Sequence, residues 1–139
     1  MFDGYILTDN SVRNILADDT LTTNADSTSI GFQMRTRIPY YRGVPLSMVH
    51  DVVVEVDGKR VDPSSIRFSA DAGAHWFTLE EMWTVASMRW EYADEALVRV
   101  MRPGGLSSGT HDIKLEVAIR VAYIPVPFGG TMTRTITIS

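Results

Sequence analysis

Asp112-Ile113-Lys114-Leu115-Glu116-Val117-Ala118-Ile119-Arg120-Val121-Ala122-Tyr123 is the stretch that decides the fold. Every second residue from Ile113 to Tyr123 is apolar, while Asp112, Lys114, Glu116 and Arg120 fall on the opposite face. Successive side chains of a strand point to opposite faces, so this pattern predicts a long antiparallel strand with one face in a core and one in water.

The same period recurs on both sides of that run. Ile30, Phe32, Met34 and Ile38 share a face opposite Gln33, Arg35 and Arg37, and the strand stops at Pro39, which has no N–H for a ladder. Val52, Val54 and Val56 point inward against Asp51, Glu55 and Asp57 and lead into Asp57-Gly58, the kind of dipeptide that tolerates the positive φ angles of a tight hairpin, with the return through Arg60-Val61. Further strands are expected at Gly4 to Thr8, Val12 to Leu16, Ile66 to Ser69, His75 to Thr78, Ala96 to Met101 and Met132 to Ile138; in the last, Met132, Ile136 and Ile138 share a face with Arg134. Thr78-Leu79-Glu80-Glu81 offers a capping box and with it the one short helix, of one or two turns. Arg102 to Thr110 reads as a loop around Pro103-Gly104-Gly105. About nine short strands and at most one short helix predict an all-β, antiparallel two-sheet sandwich, jelly-roll or immunoglobulin-like, formed by residues 1–139 as a single domain.

Composition narrows the function classes. The 139 residues are 45% hydrophobic and 22% charged, as in ordinary packed proteins, and long enough to bury a core without metals or crosslinks. No cysteine is present, which excludes disulfides, thiolate metal sites and cysteine nucleophiles and fits a reducing cytoplasm. The start of the chain lacks a basic segment followed by an apolar one, and no apolar run approaches membrane-spanning length, so neither export nor a membrane is expected. A net charge of −4, with basic residues interleaved among acids, argues against nucleic acid. The basic set is eleven Arg and two Lys; Arg is the cation favoured at interfaces, although a GC-rich genome gives the same bias.

No catalytic constellation is expected. His50, His75 and His111 match no zinc spacing, and the neighbours in His50-Asp51 and His111-Asp112 point to opposite strand faces. Gly-x-Ser-x-Gly is absent, as is a glycine-rich turn opening a helix. Asp18, Asp19 and Asp26 lack the order of a calcium loop and read as solvated. Glu80, Glu81, Glu91, Asp94 and Glu95 leave open a carboxylate pair for glycoside hydrolysis. Rigid aromatic segments stand out instead: Tyr40, Tyr41 and Arg42 with the closing Pro45 of a segment bounded by two prolines, Tyr123, Pro127 and Phe128 in a second proline-rich segment, and Trp83 beside Met82. Tyr, Trp and Arg are enriched at hot spots, and a proline-stiffened loop binds at lower entropic cost, so these eight residues are the candidate partner interface. Trp76 and Trp90 are expected in the core.

Several blocks resemble one family: Met1-Phe2-Asp3 with Tyr5-Ile6, Arg37-Ile38-Pro39-Tyr40-Tyr41-Arg42-Gly43-Val44-Pro45-Leu46-Ser47, Val54-x-Val56-Asp57-Gly58, Arg89-Trp90-Glu91-Tyr92, Pro103-Gly104-Gly105-Leu106 and Tyr123-Ile124-Pro125-Val126-Pro127. Together they resemble the β subunit of bacterial C-glycoside deglycosidases nearly end to end. The resemblance implies a larger TIM-barrel α subunit holding a divalent metal, with manganese expected, and the acid and base that cleave the carbon–carbon bond between a 3-oxo sugar and an aromatic aglycone. It implies a heterodimer or a higher (αβ)n assembly, with no cofactor or catalytic residue in this chain. A stand-alone carbohydrate-binding or immunoglobulin-like module is the alternative reading of the exposed rings.

Overall fold

A computed structural model describes residues 7–8, 11–38, 43–85, 87–91, 94–119 and 128–139, with only the backbone at His50 and Phe128. Its elements are β1 (Arg13–Ile15), β2 (Leu21–Thr22), β3 (Gly31–Thr36), β4 (Val44–Pro45), β5 (Val49–Val56), β6 (Lys59–Arg60), β7 (Ile66–Ser69), β8 (Phe77–Thr78), α1 (Leu79–Met82), β9 (Arg89–Trp90), β10 (Ala96–Met101), β11 (Gly109–Ile119) and β12 (Phe128–Ile138). Three antiparallel sheets result, in the orders β2-β1-β3-β10-β7-β8, β12-β11-β5-β6 and β4-β9. The fold is an all-β sandwich.

Alternation puts the core between the two larger sheets. From one come Phe32, Met34, Ile66, Phe68, Val98 and Val100; from the other come Val52, Val54, Val56, Ile113, Leu115, Val117 and Ile119, all in one buried cluster. Trp90 is fully buried, edge-to-face on Phe68 with ring centroids 5.2 Å apart, and its indole N–H donates to the Asp94 carbonyl at 2.9 Å. That pairing satisfies the one polar atom of a ring that could not otherwise enter a core.

Three sequence expectations change in detail. Gln33, expected on the wet face, is buried because Arg99 crosses it: the guanidinium donates to Gln33 Oε1 at 2.8 Å and to Asp19 Oδ1 at 2.9 Å, and lies 4.4 Å from the Trp76 ring centroid. Trp76 is therefore half-buried on the outside of the sheet as a cation–π partner rather than in the core. The stretch expected to be a solvated loop contains β2, a two-residue edge strand paired to β1. Of the expected first strand, only Leu7 and Thr8 are described, and Leu7 bridges to Thr36.

Loops are fixed by side chains as much as by strands. Asn14 is fully buried; its Oδ1 accepts from the Leu106 N–H at 2.7 Å and its Nδ2 donates to the Leu106 carbonyl at 2.9 Å, mimicking a strand partner. Gly105, at φ 61°, has no room for a side chain, since a Cβ would lie 2.6 Å from Asn14 Oδ1. This explains why Pro103-Gly104-Gly105-Leu106 reads as it does. The Asp57-Gly58 turn has φ values of 51° and 82°, as a tight hairpin demands.

His111 ties that hairpin to the loop before β11. Its Nδ1 lies 2.8 Å from Asp57 Oδ2 and its Nε2 lies 2.8 Å from the Ser107 carbonyl oxygen. Both ring nitrogens face acceptors, which favours the imidazolium, and the hydrogen bond to Asp57 holds the His111 pKa above its ordinary 6.5. The same bond holds Asp57 below its ordinary 3.8. A raised histidine stabilises the fold below its unfolded pKa and loses that contribution as pH rises through the folded value; a lowered carboxylate loses its contribution as pH falls.

Two outcomes follow. Leu115→Ala removes a fully buried side chain at the sandwich centre and is expected to cost about 2–5 kcal/mol in urea unfolding. His111→Gln is expected to lower the thermal midpoint most between pH 3.8 and 6.5, with the deficit shrinking as pH rises further. A deficit constant with pH would show that the clip works without charge.

Candidate functional site

Segments flanking the predicted interface residues are stitched together by backbone. β4 pairs with β9, placing half-buried Pro45 opposite Arg89, whose guanidinium donates to the Gly43 carbonyl at 3.0 Å and to Glu91 at 2.9 Å. The Leu46 N–H donates to Met88 and the Ser47 N–H to Val85, so the chain after Pro45 is joined to the chain after Trp83. Tyr40, Tyr41, Arg42, Tyr123 and Pro127 lie outside the described residues, and Phe128 opens β12 opposite Ile119 with its side chain outside them.

Trp83 is 58% exposed, and its position follows from the helix before it. Thr78 Oγ1 accepts from the Glu81 N–H at 3.2 Å while Glu81 Oε1 accepts from the Thr78 N–H at 2.8 Å, the reciprocal box expected from the sequence. Met82 is the buried anchor of α1. The next residue, Trp83, is the C-cap, and it turns its ring outward beside a groove.

That groove has a volume of about 560 Å³. Val49, Val52, Leu79 and Met82 supply apolar lining, and Asp51, Asp62 and Glu80 are the charged side chains among the described lining residues. One wall is the 3-10 turn Pro63–Ser65, which Asp62 caps by accepting from the Ser64 N–H and hydroxyl, both at 2.9 Å. The backbone bond to Ser64 holds Asp62 below its ordinary carboxylate range, so it is ionised at neutral pH. The groove runs along β5 because β6 is only two residues long. Asp51, Val53 and Glu55 alternate toward β11, as the Asp57 N–H bond to the Asp112 carbonyl fixes; Val52, Val54 and Val56 turn their main chain the other way. There β6 covers Val56, and the Val61 N–H donates to the Val54 carbonyl at 2.9 Å. Val52 itself is buried.

Sequence reasoning singled out Trp83 but missed this setting. The signal was present in outline: a capping box followed at once by Met-Trp leaves a helix too short to bury both residues. Asp51 and Asp62 carried no signal, since the edge that makes them neighbours depends on the brevity of β6.

Among the described residues, two serine, histidine and aspartate groups occur, and neither has the order of a nucleophile and its base. Ser107 Oγ is 3.4 Å from His111 Nε2, but that nitrogen's shorter contact is to the Ser107 carbonyl, so it carries a proton and cannot accept one. In the second group Ser69 donates to Asp71 at 2.8 Å, and Asp71 in turn binds His75 at 2.5 Å, leaving the hydroxyl on the carboxylate rather than on the imidazole. Among the described residues, no three His, Asp or Glu side chains converge as a metal would require, and no helix is long and apolar enough to cross a membrane.

Residues 2–123 match the family described as C-glycoside deglycosidase beta subunit. The C-glycoside deglycosidase beta subunit of Eubacterium cellulosolvens is 31% identical over 102 residues, covering 73% of this chain and 68% of its own. The 3'-dehydrocarminate deglycosidase beta subunit of a Microbacterium species is 34% identical over 113 residues, 81% of this chain and 80% of its own. The sandwich, the blocks quoted from the sequence and these matches along most of the chain agree: the protein belongs to the C-glycoside deglycosidase beta subunit family.

Proposed function

We propose that this chain is the non-catalytic accessory subunit of a cytoplasmic carbon–carbon lyase that removes an aromatic aglycone from a 3-oxo C-glycoside. The observation that carries the reading is the match of residues 2–123 to a family of beta subunits, whose name implies a larger functional assembly. The partner in this reading is a TIM-barrel α subunit, joined as a heterodimer or a higher (αβ)n assembly. The proposed contact surface comprises Tyr40, Tyr41, Arg42, Pro45, Trp83, Tyr123, Pro127 and Phe128.

The chemistry divides naturally between two chains. A ketone at C3 of the sugar acidifies the proton on C2; a base removes that proton, the bond from C1 to the aglycone breaks, and an acid protonates the departing aromatic carbon. Negative charge develops on the C3 oxygen, and a divalent metal held in the partner's site, manganese in this reading, would supply Lewis-acid stabilisation of it. The relative named for a 3'-dehydro substrate fits such a requirement for prior oxidation. What this chain supplies is a preformed face: a core that holds α1 and β5 in place, and an exposed tryptophan beside an apolar groove.

Purified separately and mixed, this chain and the α subunit should release free aglycone from a 3-oxo C-glycoside, while this chain alone should release none. Turnover by this chain alone would contradict the division of labour, and failure of the two chains to associate would remove the accessory reading.

A further inference from the structure

The sheet edges of this sandwich are not alike. Among the described strands, β2, β8 and β6 close three edges of the two larger sheets with two residues each, a shortness that keeps an exposed edge from pairing. The fourth edge is β12, with eleven. It pairs with β11 in unbroken register from Phe128 to Ile138, so no bulge bends it away. Because the Asp57 N–H donates to the Asp112 carbonyl, the even-numbered residues of β11 turn their main chain to β5 and the odd-numbered ones to β12. Thr133, Thr135 and Thr137 therefore turn theirs outward, as Ser139 does where its N–H donates to the Thr23 carbonyl and its carbonyl accepts from the Ala25 N–H. Among the described residues, no main-chain partner meets those three threonines on that side, and all three are exposed. A groove of about 610 Å³ keeps the flank open, with Val12, Arg13 and Thr23 on its other side.

We propose that this edge joins two copies of the chain, β12 of one lying antiparallel to β12 of the other about a two-fold axis at Thr135. In that register Thr135 meets its own copy and Thr133 meets Thr137, and each pair exchanges main-chain hydrogen bonds, about six in all. The strand is complementary to itself. Threonines occupy its outward positions in alternation, and Thr opposite Thr is a favourable cross-strand pair. β12 contains no acid, lysine or proline. Its one cation, Arg134, lies on the other face, opposite Ile136 of the second copy, with its Nε donating to the Leu7 carbonyl at 2.8 Å. Like charges therefore do not oppose one another across the pair, and the acids behind the net charge of −4 sit on other elements. Pairing also covers Ile136, which is half-buried in the single chain. A foreign strand would have to bring its own match to this spacing, whereas a second β12 brings it by symmetry. The proposal goes beyond the accessory reading and does not depend on it, because it concerns this chain with itself.

The test begins with the full chain alone in sedimentation equilibrium. A species of twice the 15.5 kDa chain mass is expected at roughly tens of micromolar protein. Thr133→Lys with Thr137→Lys, at exposed positions that leave the core untouched, sets lysine opposite lysine and should weaken the dimer roughly tenfold or more. Thr133→Glu with Thr137→Glu should do the same. Mixing the two variants should restore a dimer, because each lysine then faces a glutamate, a recovery that misfolded chains would not show. A parent that stays monomeric overturns the proposal, as does a dimer that the lysine pair leaves intact or a mixture that stays monomeric. If the edge belongs to the α subunit instead, the parent alone is monomeric and the Thr133, Thr135 and Thr137 amides slow in exchange only when that subunit is added, which overturns the proposal and leaves the accessory reading standing.

Discussion

The structure depends on the one-sided burial of β11. Flanked by β5 on one side and β12 on the other, it presents Ile113, Leu115, Val117 and Ile119 to the opposing sheet without a break. A slip of one residue would turn all four into water and bring Lys114 and Glu116 inward, so burial of this face fixes the register of both neighbours. With β5 so fixed, Val52, Val54 and Val56 must turn their main chain away from β11. What lies on that side then matters.

There the tight Asp57-Gly58 turn brings the chain back for two residues before Pro63 diverts it into a 3-10 turn. A longer return would have filled that space. Its brevity leaves space beside β5 for a groove whose far wall is α1, itself held by Met82 in the core. The exposed indole of Trp83 is thus a consequence of core packing on one side of a four-residue helix. A family of accessory subunits has use for such a surface, because a rigid sandwich presents it without reorganising.

Much of this was legible in the sequence because period-two burial is a local signal. Ile66–Ser69 and Ala96–Met101 run as strands over the expected bounds, and the capping box and the Asp57-Gly58 hairpin stand where their residues placed them. The two-residue strands β2, β4 and β9 carried no such signal, since pairing this short is set by neighbours rather than by pattern. Gln33 and Trp76 were misplaced for a related reason: Arg99, distant in sequence, covers one and stacks on the other. The Asp57–His111 clip joins residues 54 apart and could not be read from His111-Asp112. Trp83 was recognised as an outward ring, but its acidic, apolar surroundings come from three separated segments that only the folded sheet unites.

The account stands or falls on the surface around the exposed Trp83, and amide hydrogen exchange reads it directly. On addition of the partner subunit, the backbone from Leu79 to Trp83 should slow in exchange, while the β11 amides, already enclosed between β5 and β12, should not change. Slowed exchange confined to other surfaces, with Leu79 to Trp83 unaffected in a formed complex, would contradict it.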